Sequence, residues 1–345
     1  VDTLYGGTGG DFADYSQAGA SVVVDLSSNT ASNDGDGGTD EIYEIENIIG
    51  SDNSGAGDTL IGDNSVNTII GLAGDDTLSG GAGDDTLLGG DGDDYFSRDA
   101  GSDSINGGNG SDTMDYSVGD NGTGIIVDLA DGANATVTID GGADNDQLKN
   151  IENIIGTDGQ DTIYGNADSN YFEGGNDDDT LKGEAGTDTL YGGNGDDTLN
   201  GGIDGDLLYG EAGQDTLKGG DGGDKIYGGT EDDRILGGTG DDSLYGQEGS
   251  DYILGGTNND FIDGGDAVDK LFGQDGDDTL HGGDGGDTLN GGNGDDTLKG
   301  EAGADTFYAG AGADRIIGGN GAGEIDVLYF TDLTVEGVDL DLDLS

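Results

Sequence analysis

The sequence predicts an all-β chain: a parallel β-roll (β-helix or solenoid) of stacked 18-residue coils, interrupted by irregular β inserts. Three observations predict it. A nine-residue unit, G-G-x-G-x-D-x-U-x with U a large apolar residue, runs without a gap from Gly156 to Ile317 as eighteen copies; Gly192-Gly193-Asn194-Gly195-Asp196-Asp197-Thr198-Leu199-Asn200 is a clean one. Two positions are locked to that period: position eight is Leu, Ile or Phe in every copy, and position six is Asp in all but one, which has Asn170. Finally, the 345 residues include 78 Gly and no Pro. A continuous hydrogen-bonded ladder excludes Pro because Pro has no N–H to donate.

Each part of the unit has a physical task. Positions seven to nine, often T-L-x, alternate faces as a short strand, so position eight points inward and its neighbours outward. The Gly-rich hexapeptide turns the chain, because glycine reaches positive φ without steric cost and lets backbone come close to a ligand. Two nonapeptides make one 18-residue coil, and nine coils stacked at the ~4.8 Å strand spacing span roughly 40–45 Å. No coil can bury its own apolar residue, so stability is a sum over neighbours.

Along the chain, residues 1–61 read as a partial repeat plus an irregular β insert and 62–115 as a first repeat block. Residues 116–155 form a second insert, 156–326 the long block and 327–345 the start of a further insert unit. The inserts are copies of each other. Asp14-Tyr15-Ser16, Val22-Val23-Val24-Asp25-Leu26 and Ile45-Glu46-Asn47-Ile48-Ile49-Gly50 recur as Asp115-Tyr116-Ser117, Ile125-Ile126-Val127-Asp128-Leu129 and Ile151-Glu152-Asn153-Ile154-Ile155-Gly156. A third set is expected to begin at Asp326-Val327-Leu328-Tyr329-Phe330. Val1-Asp2-Thr3-Leu4-Tyr5 starts in mid-motif, which suggests a segment of a longer array.

Composition narrows the function. With 76 acidic against 9 basic residues, the net charge is −67. Such a chain repels nucleic acid and anionic membranes, and no apolar stretch is long enough to span a bilayer. Low hydrophobicity at this charge ordinarily means disorder, unless something neutralises the acids. There is no Cys to supply a disulfide staple. With one histidine, His281, and no Cys, a catalytic zinc site cannot be built, and no nucleophile–base–orienter set is present. The chain reads as non-enzymatic, and His281 as a surface residue.

The site candidates are the position-six aspartates. In the first block they are Asp76, Asp85, Asp94, Asp103 and Asp112; in the second, Asp161, Asp179, Asp188, Asp197, Asp206, Asp215, Asp224, Asp233, Asp242, Asp251, Asp260, Asp269, Asp278, Asp287, Asp296, Asp305 and Asp314. Repeats n and n+2 lie one above the other, so Asp215 faces both Asp197 and Asp233. Bare carboxylates stacked at about 5 Å repel by a few kcal/mol; a divalent cation reverses the sign. Carboxylates with turn carbonyls form an all-oxygen shell, which suits Ca²⁺ better than Mg²⁺. Pairing n with n+2 gives about 20 Ca²⁺, which would bring the charge to about −27. The pattern is weakened at Asn67 and Asn170, which carry no charge, and in the degenerate copy Gly318–Asp326, where Gly323 stands in place of Asp. The turns Gly201-Gly202-Ile203-Asp204 and Gly228-Gly229-Thr230-Glu231 lack the second turn glycine, and weaker sites are expected there. Asp34–Glu41 is a further acidic turn with a weak calcium signal.

These motifs resemble the RTX (repeats-in-toxin) family of hemolysin-type calcium-binding repeats, and the D-Y-S, V-D-L and I-E-N-I-I-G segments resemble the stretch preceding the repeats in serralysin-type proteases and large RTX adhesins. The resemblance implies that position-six aspartates and turn carbonyls bind calcium in a parallel β-roll. It also implies type I secretion from a Gram-negative cell and folding in extracellular calcium. The tandem inserts favour a structural module of an adhesin, surface layer or matrix fibre; the alternative is the C-terminal folding and secretion domain of a toxin or secreted hydrolase. Position nine places Tyr191, Tyr209, Tyr227 and Tyr245 in one outer column, flanked by Leu207 and Phe261. That column stabilises its face by stacking, or serves as a contact for glycan or self-association. On the opposite face a threonine row (Thr162, Thr180, Thr198, Thr216) is broken by Arg234, Tyr252 and Lys270. The outward acids beside the ligands, such as Asp196, Asp241 and Asp295, read as solubilising charges.

Overall fold

A computed structural model describes residues 2–33, 38–119, 122–129, 135–139, 145–319, 325–329 and 339–341. It is an all-β parallel β-solenoid, as the period predicts, and it separates into two units, Val1–Gly165 and Asn166–Ser345.

In the second unit the strands alternate between two faces and pair in parallel with an 18-residue offset. On one face Thr189–Asn194 lies between Tyr171–Asn176 and Leu207–Ala212, with Leu190 between Phe172 and Leu208. On the other, Thr198–Ile203 lies between Thr180–Ala185 and Thr216–Asp221. The same register continues to Thr306–Ala311 and Arg315–Gly319. Position eight is the core: from Phe172 to Ile316 every such side chain is buried.

The strands are longer than the expected three residues. Most span six, because pairing continues through positions two and three of the next turn, as in Gly175↔Gly193 and Asn176↔Asn194. The sharp reversal is therefore confined to positions four to six. Position four needs a left-handed backbone; Gly195 has φ 135°, and Asp204, Glu231 and Ala267 reach φ 74–77° where the glycine is missing.

In the first unit the same stacking places Leu87 between Ile69 and Ile105, and Phe96 between Leu78 and Met114. Each insert is a hairpin excursion from a coil. Val23–Asp25 pairs in parallel with Thr59–Ile61, then turns back antiparallel to Thr30–Ser32, which in turn pairs with Thr39–Tyr43. Likewise Ile125–Asp128 runs parallel to Thr162–Tyr164 and antiparallel to Thr138–Ile139. The recurrent V-D-L and I-I-V-D-L segments are thus coil strands, with Val24 and Val127 buried. Of the acidic turn Asp34–Glu41, residues 34–37 lie outside the described residues, and its end belongs to the strand Thr39–Tyr43.

One sequence assignment needs correction. Val327–Tyr329 pairs with Thr306–Tyr308, a 21-residue offset. This coil is three residues longer than the regular 18, so Asp326, not residue 323, takes the position-six place; Gly323 itself lies outside the described residues. A Cβ built on Gly318 would meet Asp326 Oδ2 at 2.3 Å, the relation that position-one glycines have to position-six aspartates elsewhere.

Candidate metal centre

Position six is the last residue of the turn before a buried strand, so its side chain is carried inward with the strand. All the candidate aspartates are between 0 and 4 % exposed. From Asp76 to Asp112 and from Asp188 onward, each carboxylate accepts, on Oδ1, the backbone N–H of the residue 18 positions earlier. Asp179 N–H donates to Asp197 (2.7 Å), Asp197 to Asp215 (2.7 Å) and Asp215 to Asp233 (2.8 Å). This edge continues through Asp251, Asp269, Asp287 and Asp305 to Asp326. The other edge runs from Asn170 through Asp188, Asp206, Asp224, Asp242, Asp260, Asp278 and Asp296 to Asp314. The expected n, n+2 stacking is present, joined by a hydrogen bond that sequence reasoning did not foresee.

The second oxygen is the chemically open one. Oδ2 is buried without a hydrogen-bond partner in Asp76, Asp85, Asp94 and Asp112, in Asp188, in every position-six Asp from Asp197 to Asp296, and in Asp314. A buried ionised oxygen with no donor is costly. It lies over position one of its own turn: a Cβ on Gly192 would sit 2.3 Å from Asp197 Oδ2 and 2.9 Å from the Gly210 carbonyl oxygen. A carboxylate and a carbonyl thus approach the same space, an oxygen donor set suited to a hard cation. The residues present fit calcium.

Electrostatics agree. Burial, reinforced by neighbouring carboxylates and opposed by the donated backbone N–H, pushes Asp197 up to about 7 and Asp233 and Asp260 up to about 8. Asp76, Asp188, Asp215 and Asp251 are raised to about 6, burial again being the main cause. Without a cation these groups hold protons at a pH where an ordinary carboxylate is ionised.

The ends of the ladders differ, for identifiable reasons. Asn67 Oδ1 accepts the N–H of Asp63 while its Nδ2 donates to the Glu46 carbonyl, and Asn170 Oδ1 accepts from Asn166. Both asparagines engage their side chains within the turn. Asp161 is also distinct: Oδ2 accepts the Thr157 N–H (2.6 Å), and Oδ1 accepts the Ile125 N–H and the Thr157 hydroxyl. Asp58 does the same with Ser51 and Val22 and donates its N–H to Asp76. At the far ends Glu152 accepts from Asp112, Asp146 from Asp103 and Glu46 from Asp11. Sequence reasoning missed Asp58 and Asp146, although Asp58-Thr59-Leu60-Ile61 and Asp146-Gln147-Leu148-Lys149 carry the D-x-U-x signal. Out-of-phase turns before them concealed it.

Two surface features accompany the ladders. The position-five acids are exposed as expected, but each also accepts a backbone N–H from the following coil, as Asp196 does from Gln214 and Asp241 from Asn259. This second ladder points opposite to the first. The tyrosines form a column: ring centroids lie 4.6 Å apart for Tyr191–Tyr209 and 4.9 Å for Tyr209–Tyr227 and Tyr227–Tyr245. Lys225 sits over the Tyr227 ring. His281 is half-buried rather than free on the surface, packing edge-on against Phe261 with Nδ1 3.6 Å from Glu301.

The model of the RTX calcium-binding nonapeptide repeat matches residues 55–96, 99–122 and, in overlapping placements, 150–325. A parallel solenoid with a buried acidic ladder at that period is a calcium-binding repeat protein. The chain belongs to the RTX calcium-binding nonapeptide repeat family. No curated protein matches it.

Proposed function

We propose that the chain is a non-enzymatic structural module of an extracellular bacterial protein, such as an adhesin, a surface layer or a matrix fibre, that folds on binding many calcium ions. The observation carrying this reading is the unpartnered Oδ2 that returns at position six of successive repeats. A lone metal site needs one such oxygen set; a column of them makes the ion part of the fold. The position-six aspartates are the ligands, about 20 ions load in all, and the acidic surface that remains keeps the folded module soluble. Asp161 stands apart, because protein donors already engage both its oxygens.

Extracellular millimolar calcium suits the ~10⁻⁴–10⁻³ M affinity class of such modules, while the unfolded, metal-free chain is the form compatible with export. The stacked Tyr191–Tyr245 column stabilises its face and provides the surface for self-association or glycan contact. A calcium titration followed in parallel by far-UV circular dichroism and electron microscopy tests the reading. Folding with uptake of many ions is expected. A chain that keeps native β content in EGTA at pH 8 would refute it.

A further inference from the structure

The fifth copy of the first block, Arg98–Asn106, departs from the repeat at its first two positions, which are Arg98 and Asp99 instead of glycine. Position two has a left-handed backbone at Leu72, Gly81, Gly90 and Gly108 of this block; Asp63 and Asp99 do not. Its carboxylate instead reaches back one coil, where Oδ2 accepts the Gly81 N–H (2.5 Å) and the Ser79 hydroxyl (3.2 Å). Asp99 Oδ1 is buried without a hydrogen-bond partner.

That carboxylate lies beside the stacked pair Asp85 and Asp103, joined by the Asp85 N–H donated to Asp103 Oδ1 at 2.7 Å. One carboxylate oxygen from each of Asp85, Asp99 and Asp103 lies within 4.8 Å of the others. Asp85 is only 2 % exposed, and its Oδ2 has no partner. Oxygens bound to one Ca²⁺ at 2.3–2.6 Å can be up to about 5 Å apart, so one ion can touch all three. The charge is informative, since three carboxylates share a space where the regular repeats bring two.

We propose that Asp85, Asp99 and Asp103 form a three-carboxylate cation site, a regular stacked pair with one added ligand, that fills before the two-carboxylate sites of the other repeats. This rests on the reading that position-six carboxylates bind cations and adds a ligand from outside that pattern. Affinity in all-oxygen sites rises with the number of charged ligands, and the extra carboxylate also ties the ion to the neighbouring coil through Gly81.

The test is an isothermal calcium titration of the full chain and of Asp99→Asn, Asp99→Gly and Asp269→Asn. The wild type is expected to bind one ion about tenfold more tightly than the rest. Both Asp99 variants should lose the tight class, that ion joining the weaker one at the remaining Asp85–Asp103 pair; Asp99→Gly restores the glycine of the other copies, which protects the fold. Asp269→Asn should reduce the weaker class and retain the tight ion. A single affinity class that Asp99→Asn leaves unchanged overturns the proposal while leaving the regular sites standing. Absence of calcium binding by the wild type overturns both.

Discussion

At the level of single residues, position six has two tasks that substitution can separate. Asp215 accepts the Asp197 N–H on Oδ1 and leaves Oδ2 without a donor. Asp215→Asn keeps an acceptor for that N–H and removes the charge, so calcium stoichiometry should fall while the melting temperature in saturating calcium drops only modestly. Asp215→Ala also strands a buried N–H, adding about 1–3 kcal/mol of destabilisation; comparing the two melting temperatures checks this. Protonation gives a second prediction. The buried carboxylates have pKa values raised from 3.8 to about 6–8. A raised folded-state pKa favours the metal-free fold most below about pH 4 and loses that contribution as pH rises through 6 to 8. In EGTA, far-UV β signal should therefore be greater at pH 4 than at pH 8. The ligand residues were legible in the sequence because Asp recurs at one phase. Their inward orientation and the donated N–H were not, because both depend on the coil above.

At the level of elements, the turns show where the repeat consensus is loosened. Ala267 occupies a left-handed position-four site with φ 77°. That conformation costs a residue with a Cβ about 1–2 kcal/mol, partly offset by the extra chain entropy that glycine loses on folding. Ala267→Gly should raise stability by about 0.5–1 kcal/mol, read as a higher melting temperature in saturating calcium. Strand location was readable from position eight, and strand length was not. Positions two and three join the ladder because the neighbouring coil offers a partner, and period alone cannot show that. The inserts were recognisable as a repeated pair, yet Val24 and Val127 became coil residues only once Leu60 and Ile163 lay beside them.

At the level of the whole molecule, charge decides whether any of this forms. A chain of net charge −67 offsets little of its entropy from one apolar residue per nonapeptide, so the solenoid is expected to depend on its ions. Calcium titration should give a steep, cooperative rise in β content, because each coil is stabilised chiefly by its neighbours. A shallow, linear rise would argue for independent sites.

The ladder of donated N–H groups also gives assembly a direction. In these ladders a coil's buried donor stays open until the next coil toward the C terminus supplies a carboxylate, and three of the runs close on acids that are not regular repeat members: Glu152, Asp146 and Asp326. A chain delivered with its C-terminal end first meets its closing acid at once, and every later coil arrives with its acceptor already in place. A chain delivered from the other end carries an unfinished coil at its growing edge throughout. The position-five ladder points the other way, so growth from the C terminus leaves its donors open instead, but those lie beside exposed acids, where water can satisfy them.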